Sequence, residues 1–358
     1  MPDEPVISRS LFLHAPLRRK PHDVLARLLD RLPADTPETG PDAPVARLED
    51  RIAALLGKES ALFFPSGTMA QQAVLRVHAE RTARHAFAGH PQCHLDVWEE
   101  QGYSAVHGLR FHAVGDRYEL MTLEALREVA EPLAAVVWEL PQREIGGELP
   151  TWEALQEQTV WARQRGAAVH LDGARLWEAQ TYYERPFAEI AGLFDSVYVS
   201  MYKGLEGVRG AVLAGDAETI GAAAVWRQRL GGAAANAAWP LAAIAQLGLD
   251  DVLPRMPVFR DHAVAIAAAI NANGVAHTVP DPPKTPLFHV HLPAPKAAVE
   301  RAAGELLAER GIQLFGRAIS TSDPRRCRFE VTVGENAMDF SPDEVVELIG
   351  ELVKRALS

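Results

Sequence analysis

The amino-acid sequence predicts an α/β protein, with a large domain built on a mainly parallel sheet and a smaller C-terminal α+β domain. In the middle of the chain, apolar runs at 134–139 and 167–172 flank a helical segment at 151–165. A strand, a helix and a strand in this order imply a right-handed crossover between parallel neighbours. Near the C-terminus, the alternating runs 287–292 and 327–333 are typical of a smaller sheet with at least one solvated face. The length of 358 residues also exceeds the ~250–300 residues that one core supports.

The chain divides by composition into three predicted segments. Residues 1–44 are rich in proline, aspartate and arginine, and we predict an N-terminal arm with one helix at about 23–31. Residues 45–248 form the predicted large domain, and residues 249–358 form the predicted small domain. The hinge between the two domains is expected within 249–256.

The predicted helices carry start and stop signals. Apolar residues at helical spacing predict a helix from Val45 to Leu56, and Gly57 ends it. Thr151 is a typical N-cap for the next long helix, which Gly166 terminates. Further predicted helices lie near 258–272, 297–310 and 342–357.

The composition excludes several classes of partner. The formal net charge is −11 and no long lysine or arginine block occurs, so nucleic acid and anionic membranes are not expected as partners. The two cysteines, Cys93 and Cys327, are too few for a disulfide framework and lack zinc-ligand spacing. The first ten residues carry acids where a signal peptide is basic, and no apolar run approaches the ~20 residues of a transmembrane helix. We expect a soluble cytoplasmic protein that binds a small molecule and no metal.

Asp172 and Lys203 follow consecutive apolar runs, which places both at the carboxyl edge of the predicted sheet. In an open α/β sheet this edge lines the ligand crevice. A buried aspartate can hold a pyridine nitrogen protonated, and a desolvated lysine can bond covalently to an aldehyde. These groups suit pyridoxal 5′-phosphate. The alternative is that Asp172 caps a helix and Lys203 is a solvated loop cation, but the occurrence of both residues together favours the cofactor site.

A turn containing Gly67 and Thr68 is a candidate phosphate site. A short apolar run at 60–64 enters a Ser-Gly-Thr turn, and the chain emerges as a helix. Backbone N–H groups and the Thr68 hydroxyl would then point at whatever lies before the helix. Taken alone, such a turn is more often an ordinary capped helix, so the residues themselves leave both interpretations open.

The motif His-Leu-Asp-Gly-Ala-Arg at 170–175, with Lys203-Gly-Leu205 and Gly210, resembles the low-specificity threonine aldolases. These belong to the β-eliminating lyase group of fold-type I pyridoxal-phosphate enzymes, and the resemblance extends from about Val45 to the C-terminus. It implies a fold-type I seven-stranded sheet and a homodimer or homotetramer with composite sites. It also implies cleavage of the Cα–Cβ bond of a β-hydroxy-α-amino acid to glycine, or another small amino acid, and an aldehyde.

The resemblance gives the candidate site residues their expected roles. Lys203 would bond to the cofactor aldehyde, Asp172 would keep the pyridinium charged, and His94 would stack on the ring. These three residues are the predicted catalytic set. The predicted cofactor-binding set is Gly67, Thr68, His94, Glu139, Asp172, Arg175, Ser200 and Lys203. For the stacking position, His85 and His90 are alternatives to His94.

The predicted substrate-binding residues are Arg175, Gln142 and Arg328. Arg175 matches the family position near the substrate carboxylate, where a planar guanidinium can form paired hydrogen bonds. Its alternative is a helix-surface arginine paired with Glu178 or Glu184.

Several positions depart from the family pattern. Gln142 stands where the family has a histidine, and Ala235 where it has a phosphate-side arginine. Aligning the C-terminal strand on Thr332 puts Phe329 at the carboxylate-binding position, so Arg328 could reach the site only through a bulge. The N-terminal segment also lacks the family's Ser-Asp-Thr and Tyr-Gly-Asp-Asp signatures. We therefore expect weak threonine cleavage, loose cofactor retention and a preference for a bulkier or differently anchored substrate.

Two alternative functions remain open at this stage. The same lysine and aspartate would support β-elimination or transamination equally well, and product analysis separates these reactions. A catalytically impaired relative that binds the cofactor is the second alternative, because several family positions are altered.

Overall fold

The computed structural model describes residues 6–12, 17 and 20–358, and of residues 234–236 it describes the backbone alone. Its strands are β1 (Arg9–Ser10), β2 (Ser60–Phe64), β3 (Ala86–Gly89), β4 (Arg110–Ala113), β5 (Ala135–Glu139), β6 (Ala168–Gly173), β7 (Ser196–Ser200), β8 (Ala211–Gly215), β9 (His277–Val279), β10 (Leu287–Leu292), β11 (Ile312–Gln313), β12 (Ile319–Ser320) and β13 (Cys327–Thr332). Its α-helices are α1 (Pro21–Arg31), α2 (Pro44–Leu56), α3 (Gly67–Thr82), α4 (His94–Val97), α5 (Gly102–Ala105), α6 (Leu123–Arg127), α7 (Trp152–Gln164), α8 (Leu176–Tyr183), α9 (Phe187–Gly192), α10 (Ala217–Arg229), α11 (Trp239–Asp251), α12 (Met256–Asn273), α13 (Lys296–Arg310) and α14 (Pro342–Leu357). Short 3-10 helices lie at Arg143–Ile145, Gly232–Ala237, Leu253–Arg255 and Glu335–Asp339. Within the described ranges, no helix is long and apolar enough to cross a lipid bilayer.

Seven of the described strands form one large sheet in the order β2-β8-β7-β6-β5-β3-β4. Strand β8 runs antiparallel to both of its neighbours, and the other neighbouring pairs are parallel. The sequence-based prediction of a mainly parallel seven-stranded sheet is therefore confirmed. Because β5, β6 and β7 are parallel neighbours, their carboxyl ends lie at one edge of the sheet.

The spacing and capping residues that predicted helices α2 and α7 have the expected roles in the structure. Leu48, Ile52 and Leu56 of α2 are fully buried, which explains the helical spacing of its apolar residues. Gly57 ends this helix in the left-handed conformation at φ 61°, and its N–H reaches the carbonyls of the last turn. Thr151 caps α7 by accepting a hydrogen bond from the N–H of Ala154 at 3.2 Å.

The described residues form two compact units. The large unit comprises 24–144 and 149–254, and the small unit comprises the described part of 1–23 together with 145–148 and 255–358. The division that the composition suggested, after residues 44 and 248, stays a prediction.

The small unit contains an antiparallel sheet in the order β12-β13-β10-β9. One face is apolar and includes the fully buried Phe288. The opposite face was expected to be solvated, yet His289 and Glu330 on it are buried. Part of the reason is Gly147, which lies so close to this face that a Cβ there would come within 2.9 Å of the Leu287 side chain. The alternation of the strands therefore predicted correctly which residues share a face, but it did not predict that the polar face is buried.

Candidate active site

Two carboxyl side chains lie side by side at the carboxyl edge of the large sheet. Asp172 is 1% exposed, and its Oδ1 accepts a hydrogen bond from the N–H of Ala174 at 3.1 Å. Glu139 at the end of β5 is the register partner of Asp172. Burial and the neighbouring Asp172 raise the pKa of Glu139 to about 8. Glu139 therefore keeps its proton at neutral pH.

Lys203 follows β7 in a turn that Ser200 fixes. The Ser200 Oγ accepts hydrogen bonds from the N–H groups of Tyr202 and Lys203, each at 3.3 Å. Burial and then the Arg175 guanidinium lower the pKa of Lys203 to about 8, and Asp172 opposes this shift. An amine with this pKa is partly neutral near physiological pH, and the neutral amine is the nucleophile. Ser200 thus positions Lys203 through the backbone.

His94 begins α4 close to the same carboxylate. Burial lowers the pKa of His94 to about 4, and the charge of Asp172 opposes the shift. The imidazole is therefore neutral at physiological pH, which suits a ring that stacks on an aromatic cofactor. The alternative His90 is engaged with the backbone, since its Nε2 lies 2.8 Å from the Glu119 carbonyl oxygen and its Nδ1 accepts a hydrogen bond from the N–H of Gln92.

The N-terminus of α3 has the features of an anion site. Ser66 Oγ caps this helix by accepting a hydrogen bond from the N–H of Met69 at 3.2 Å. Glycine is required at position 67, because a Cβ there would lie 2.2 Å from the Tyr198 hydroxyl. The Thr68 side chain is exposed at the start of the helix. The N–H groups of the first turn and the helix dipole favour a phosphate at this position.

Glu99 is a buried acid that sequence reasoning missed. It is 8% exposed, and its Oε2 accepts a hydrogen bond from Gln72 Nε2 at 3.3 Å. The Thr68 hydroxyl also hydrogen-bonds to its carboxylate, and burial raises the pKa of Glu99 to about 7. The only signal in the sequence was its place five residues after His94, because its partners on α3 are brought to it by the tertiary fold.

Two of the predicted substrate-binding side chains lie in the large unit. Arg175 is 7% exposed, and its Nε lies 3.8 Å from Glu178 Oε1. It does pair with Glu178, but it is a buried residue and not a helix-surface one. Gln142 is also buried, and its Nε2 lies 3.3 Å from both the Gln92 carbonyl oxygen and Glu139 Oε2. The Gln142 amide is thus held in place by two acceptors.

Arg328 lies in the small unit on β13, opposite His291 of β10. Its neighbour Phe329 points to the apolar face and stacks on Phe315, with ring centroids 4.6 Å apart. The strand shows regular register at this point, and no bulge interrupts the described pairing of β10 with β13. The bulge that Arg328 was expected to need is absent from this pairing, and its role in substrate binding stays a prediction.

Arg143 is a second residue that sequence reasoning missed. Its guanidinium carbon lies over the Trp98 ring, 5.8 Å from the centroid. The guanidinium is near enough to Lys203 and His94 to lower the pKa of both groups. The sequence signal was a cation directly after Gln142, in the loop that follows β5.

The large unit thus gathers most of the predicted residues around Lys203. The groups that act on its pKa are Asp172, Glu139, Arg175 and Arg143. Glu99 extends the cluster to Thr68, because its own pKa responds to Asp172 and Lys203. Ala235 lies in the 3-10 helix Gly232–Ala237, and its side chain falls outside the described atoms.

The residues present fit pyridoxal 5′-phosphate. The site provides a buried carboxylate, a lysine of lowered pKa, a neutral imidazole and a helix N-terminus with an exposed hydroxyl. These are the groups that this cofactor requires. The sheet and this donor set together define a fold-type I pyridoxal-phosphate enzyme.

The chain belongs to the β-eliminating lyase family, whose sequence pattern it matches over residues 24–294, and it is a pyridoxal-phosphate-dependent lyase. It is 28% identical to low-specificity L-threonine aldolase 1 of Arabidopsis thaliana over 276 residues, covering 74% of this chain and 76% of that protein. Among solved structures, it is similar to a proposed L-allo-threonine aldolase from Listeria monocytogenes, with 32% identity and a TM-score of 0.89 over 98% of this chain and 96% of the other. A proposed aromatic amino acid β-eliminating lyase/threonine aldolase from Exiguobacterium sp. 255-15 is also 32% identical, with a TM-score of 0.88 over 98% and 97%. The resemblance and the fold class inferred from the sequence are confirmed.

Proposed function

We propose that the protein cleaves the Cα–Cβ bond of a β-hydroxy-α-amino acid, giving glycine or another small amino acid and an aldehyde. The grouping of the Lys203 amine and the buried Asp172 at one edge of the sheet supports the cofactor chemistry that this reaction shares with its alternatives, and the family relationship carries the choice of aldol cleavage. Similar proteins named as threonine aldolases support it. Aldehyde release from β-hydroxy amino acids, measured with saturating pyridoxal phosphate, tests it directly.

We propose a partner in the large unit for each part of the cofactor. The α3 N-terminus and Thr68 would hold the phosphate, Asp172 would face the pyridine nitrogen, and His94 would lie against the ring. When bound, the ring of pyridoxal phosphate takes up the electron pair that the broken Cα–Cβ bond leaves behind. Lys203 Nζ, with its lowered pKa, can donate and accept a proton near neutral pH.

The β-hydroxyl proton must leave as the Cα–Cβ bond breaks. Gln142 offers no base for it, because an amide lacks the basicity of an imidazole. Glu139 keeps its proton at neutral pH, since its pKa is about 8. His94 is neutral at this pH and can accept the proton, but its pKa of about 4 makes it a weak base, so the chain offers no strong base in the place of the family's histidine.

We expect threonine to be a poorer substrate than phenylserine or a larger β-hydroxy amino acid. The loss of a positioned general base lowers the rate by about 10²–10⁴-fold. The small aliphatic side chain of threonine adds little binding energy to compensate. Aldehyde release should be compared across threonine, phenylserine and larger analogues at saturating cofactor. The variant Gln142→His should recover part of the threonine turnover, whereas Gln142→Asn should not. Threonine reacting at least as efficiently as every other substrate would overturn this expectation.

β-Elimination is the second candidate function. Gln142 favours it, because departure of a β-leaving group needs no acceptor for a hydroxyl proton. Transamination, and a cofactor-binding protein of impaired activity, are supported by the same Lys203 and Asp172. Release of the leaving group and ammonia together with keto acid, without aldehyde from β-hydroxy substrates, would identify the eliminating enzyme.

The position of Glu99 beside Thr68 predicts that phosphate binding depends on pH. A dianionic phosphate at Thr68 favours the protonated form of Glu99, whose pKa is about 7 before binding. Affinity should therefore fall about tenfold or more between pH 7 and pH 9, as this carboxyl loses its proton. The probe is 4-deoxypyridoxine 5′-phosphate, which has no aldehyde and so leaves the Lys203 reaction out of the measurement. Calorimetry should show that Glu99→Gln flattens the dependence; an equally steep fall in that variant would exclude Glu99 as its source.

The oligomeric state and the cellular compartment of the protein are also proposals. We propose a homodimer or homotetramer in the cytoplasm, on the strength of the family relationship and the absence of disulfide spacing in the sequence.

A further inference from the structure

A cavity of about 160 Å³ lies in the large unit, at the amino ends of three neighbouring strands of the large sheet. Arg84 precedes β3, Leu133 precedes β5 and Ala167 precedes β6, and all three residues line the cavity. The candidate active site lies at the opposite, carboxyl ends of β5 and β6. Leu133 and the active-site residue Glu139 are separated along β5 by roughly 20 Å. The cavity is therefore distinct from the group of residues around Lys203.

Most of the cavity wall is apolar. The apolar residues that line it are Val129, Pro132, Leu133, Trp161 and Ala167. Leu133 and Ala167 are buried, so they form a dry part of the wall. An apolar cavity of about 150 Å³ is large enough to hold benzene. The space therefore suits an apolar group about the size of a phenyl ring.

Two arginine side chains also line this cavity. Arg84 Nη1 donates hydrogen bonds to the carbonyl oxygens of Leu133 and Gly166, each at 2.9 Å. A third hydrogen bond goes to the Arg165 carbonyl oxygen at 3.2 Å. The Arg165 guanidinium lies over the Trp161 ring, 5.7 Å from the centroid. Neutral carbonyls and an indole ring thus hold the two guanidinium groups in place without balancing their charge.

The positive charge of the two arginines is available to a ligand. Within the part of the chain that the structure describes, neither Arg84 nor Arg165 forms an ion pair, and Nε and Nη2 of Arg84 are unburied and without a hydrogen-bond partner. Glu131 also lines the cavity, but its carboxylate accepts a hydrogen bond from Arg110 and contacts the His112 ring, and neither of these residues lines the cavity. The charge of Glu131 is therefore already balanced by Arg110. An anion that enters the cavity displaces water from the two guanidinium groups and has no internal carboxylate to replace.

We propose that this cavity binds a small carboxylate with an apolar or aromatic body, at a site separate from the one where the amino-acid substrate reacts. The carboxylate binds to Arg84 and Arg165, because a planar guanidinium can form paired hydrogen bonds with a carboxylate. The apolar body packs against Trp161, Leu133 and Ala167, and removal of its surface from water adds to the affinity. Inorganic phosphate has no apolar part, so it gains nothing from these walls.

Calorimetric titration with benzoate tests the class of ligand. The protein is loaded with pyridoxal phosphate, and glycine is added at saturating concentration to fill the candidate active site. Wild-type protein should bind one benzoate per chain. Benzyl alcohol, which carries a hydroxymethyl group in place of the carboxylate, and inorganic phosphate should each bind at least about tenfold more weakly. Either of them binding as tightly as benzoate would overturn the proposal.

Two variants test the place of binding. Arg165→Gln should weaken benzoate binding about tenfold and change benzyl alcohol binding less than about twofold, because it removes a charge and leaves the apolar wall intact. Arg165 is the arginine to replace, since the Arg84 guanidinium also holds three backbone carbonyls. Val129→Trp should weaken the binding of both ligands more than about tenfold, because the larger side chain fills the cavity. Thermal midpoints near that of wild type would show that both variants are folded.

Arg163→Gln is the matched control. Arg163 lies on α7, two residues before Arg165, but it pairs with Asp195 at 3.0 Å and does not line the cavity. This variant should bind benzoate like wild type. Benzoate that fails to bind wild-type protein, or whose affinity is unchanged in both Arg165→Gln and Val129→Trp, would overturn the inference and leave the proposed function intact. An equal loss of affinity in Arg163→Gln and Arg165→Gln would overturn it as well, because the effect would then reflect the overall charge of the surface.

Discussion

Replacing Lys203 by alanine is expected to abolish the fixation of pyridoxal phosphate by borohydride and to lower turnover by about 10³-fold or more. The reason is that Lys203 combines a pKa near 8 with a position beside Asp172 and Glu139. A neutral amine forms there at mild pH, and a cofactor held at Asp172 would present its aldehyde nearby. Borohydride reduction of the loaded wild-type protein, followed by peptide mapping, should label the peptide that contains Lys203.

Lys58 supplies the control for this prediction. Burial also lowers the pKa of Lys58, but its Nζ donates a hydrogen bond to the Phe194 carbonyl oxygen at 2.6 Å. The chain contains four further lysines, at positions 20, 284, 296 and 354. Lys58→Ala should keep both the label and the turnover. A reducible adduct that persists in Lys203→Ala, or a label that appears on Lys58, would show that the wrong lysine has been assigned.

The central part of the site could be predicted because strand order determines it. Asp172 and Glu139 end neighbouring parallel strands, and Lys203 follows the next strand across, so polar residues that follow apolar runs in the sequence come together at one edge of the sheet. Burial then follows from the same pattern, since a strand with two covered faces buries the residues at its end. No side-chain detail was needed for this part.

The side chains that complete the site depend on contacts between distant segments. Burial raises the pKa of Glu99, and its hydrogen-bond partner Gln72 is 27 residues away in the sequence. Gln142 is fixed by the carbonyl of Gln92, 50 residues away. Such pairings leave no periodic signal in the sequence, so neither the place of Glu99 beside the α3 N-terminus nor the hydrogen bonds that hold the Gln142 amide could be predicted.

The polar face of the small sheet shows a further limit of predicting solvent exposure from the alternation of residues. The alternation in β10 and β13 assigned each residue to the correct face, and the register confirms that His289 and Glu330 lie opposite each other. An alternating strand is expected to have a solvated side. Whether that side is covered depends on segments such as the one containing Gly147, which joins this unit from the middle of the chain.

Replacing Asp172 by asparagine is expected to leave a folded protein that holds pyridoxal phosphate weakly and turns over about 10²–10³-fold more slowly, the loss typical for removal of one pre-organised electrostatic partner. Asparagine keeps an oxygen that can accept the hydrogen bond from the N–H of Ala174, so the local backbone is preserved. It removes the negative charge that would hold the pyridine nitrogen protonated. The same charge raises the pKa of Lys203 and of Glu139, so both values should fall in the variant.

Three measurements distinguish this role from simple helix capping. Turnover, cofactor affinity and the pH midpoint of the absorbance of the cofactor bound at Lys203 should all change in Asp172→Asn, while the thermal midpoint should stay near that of wild type. Asp216→Asn is the matched control, because Asp216 caps α10 by accepting a hydrogen bond from the N–H of Thr219 at 2.7 Å and lies at a helix away from Lys203. That variant should lose at most about 1 kcal/mol of stability and keep its turnover. If Asp172→Asn behaves like Asp216→Asn, with near-normal activity and an unshifted midpoint, Asp172 only caps the turn that follows β6, and the charge on the pyridine nitrogen must be held by another group.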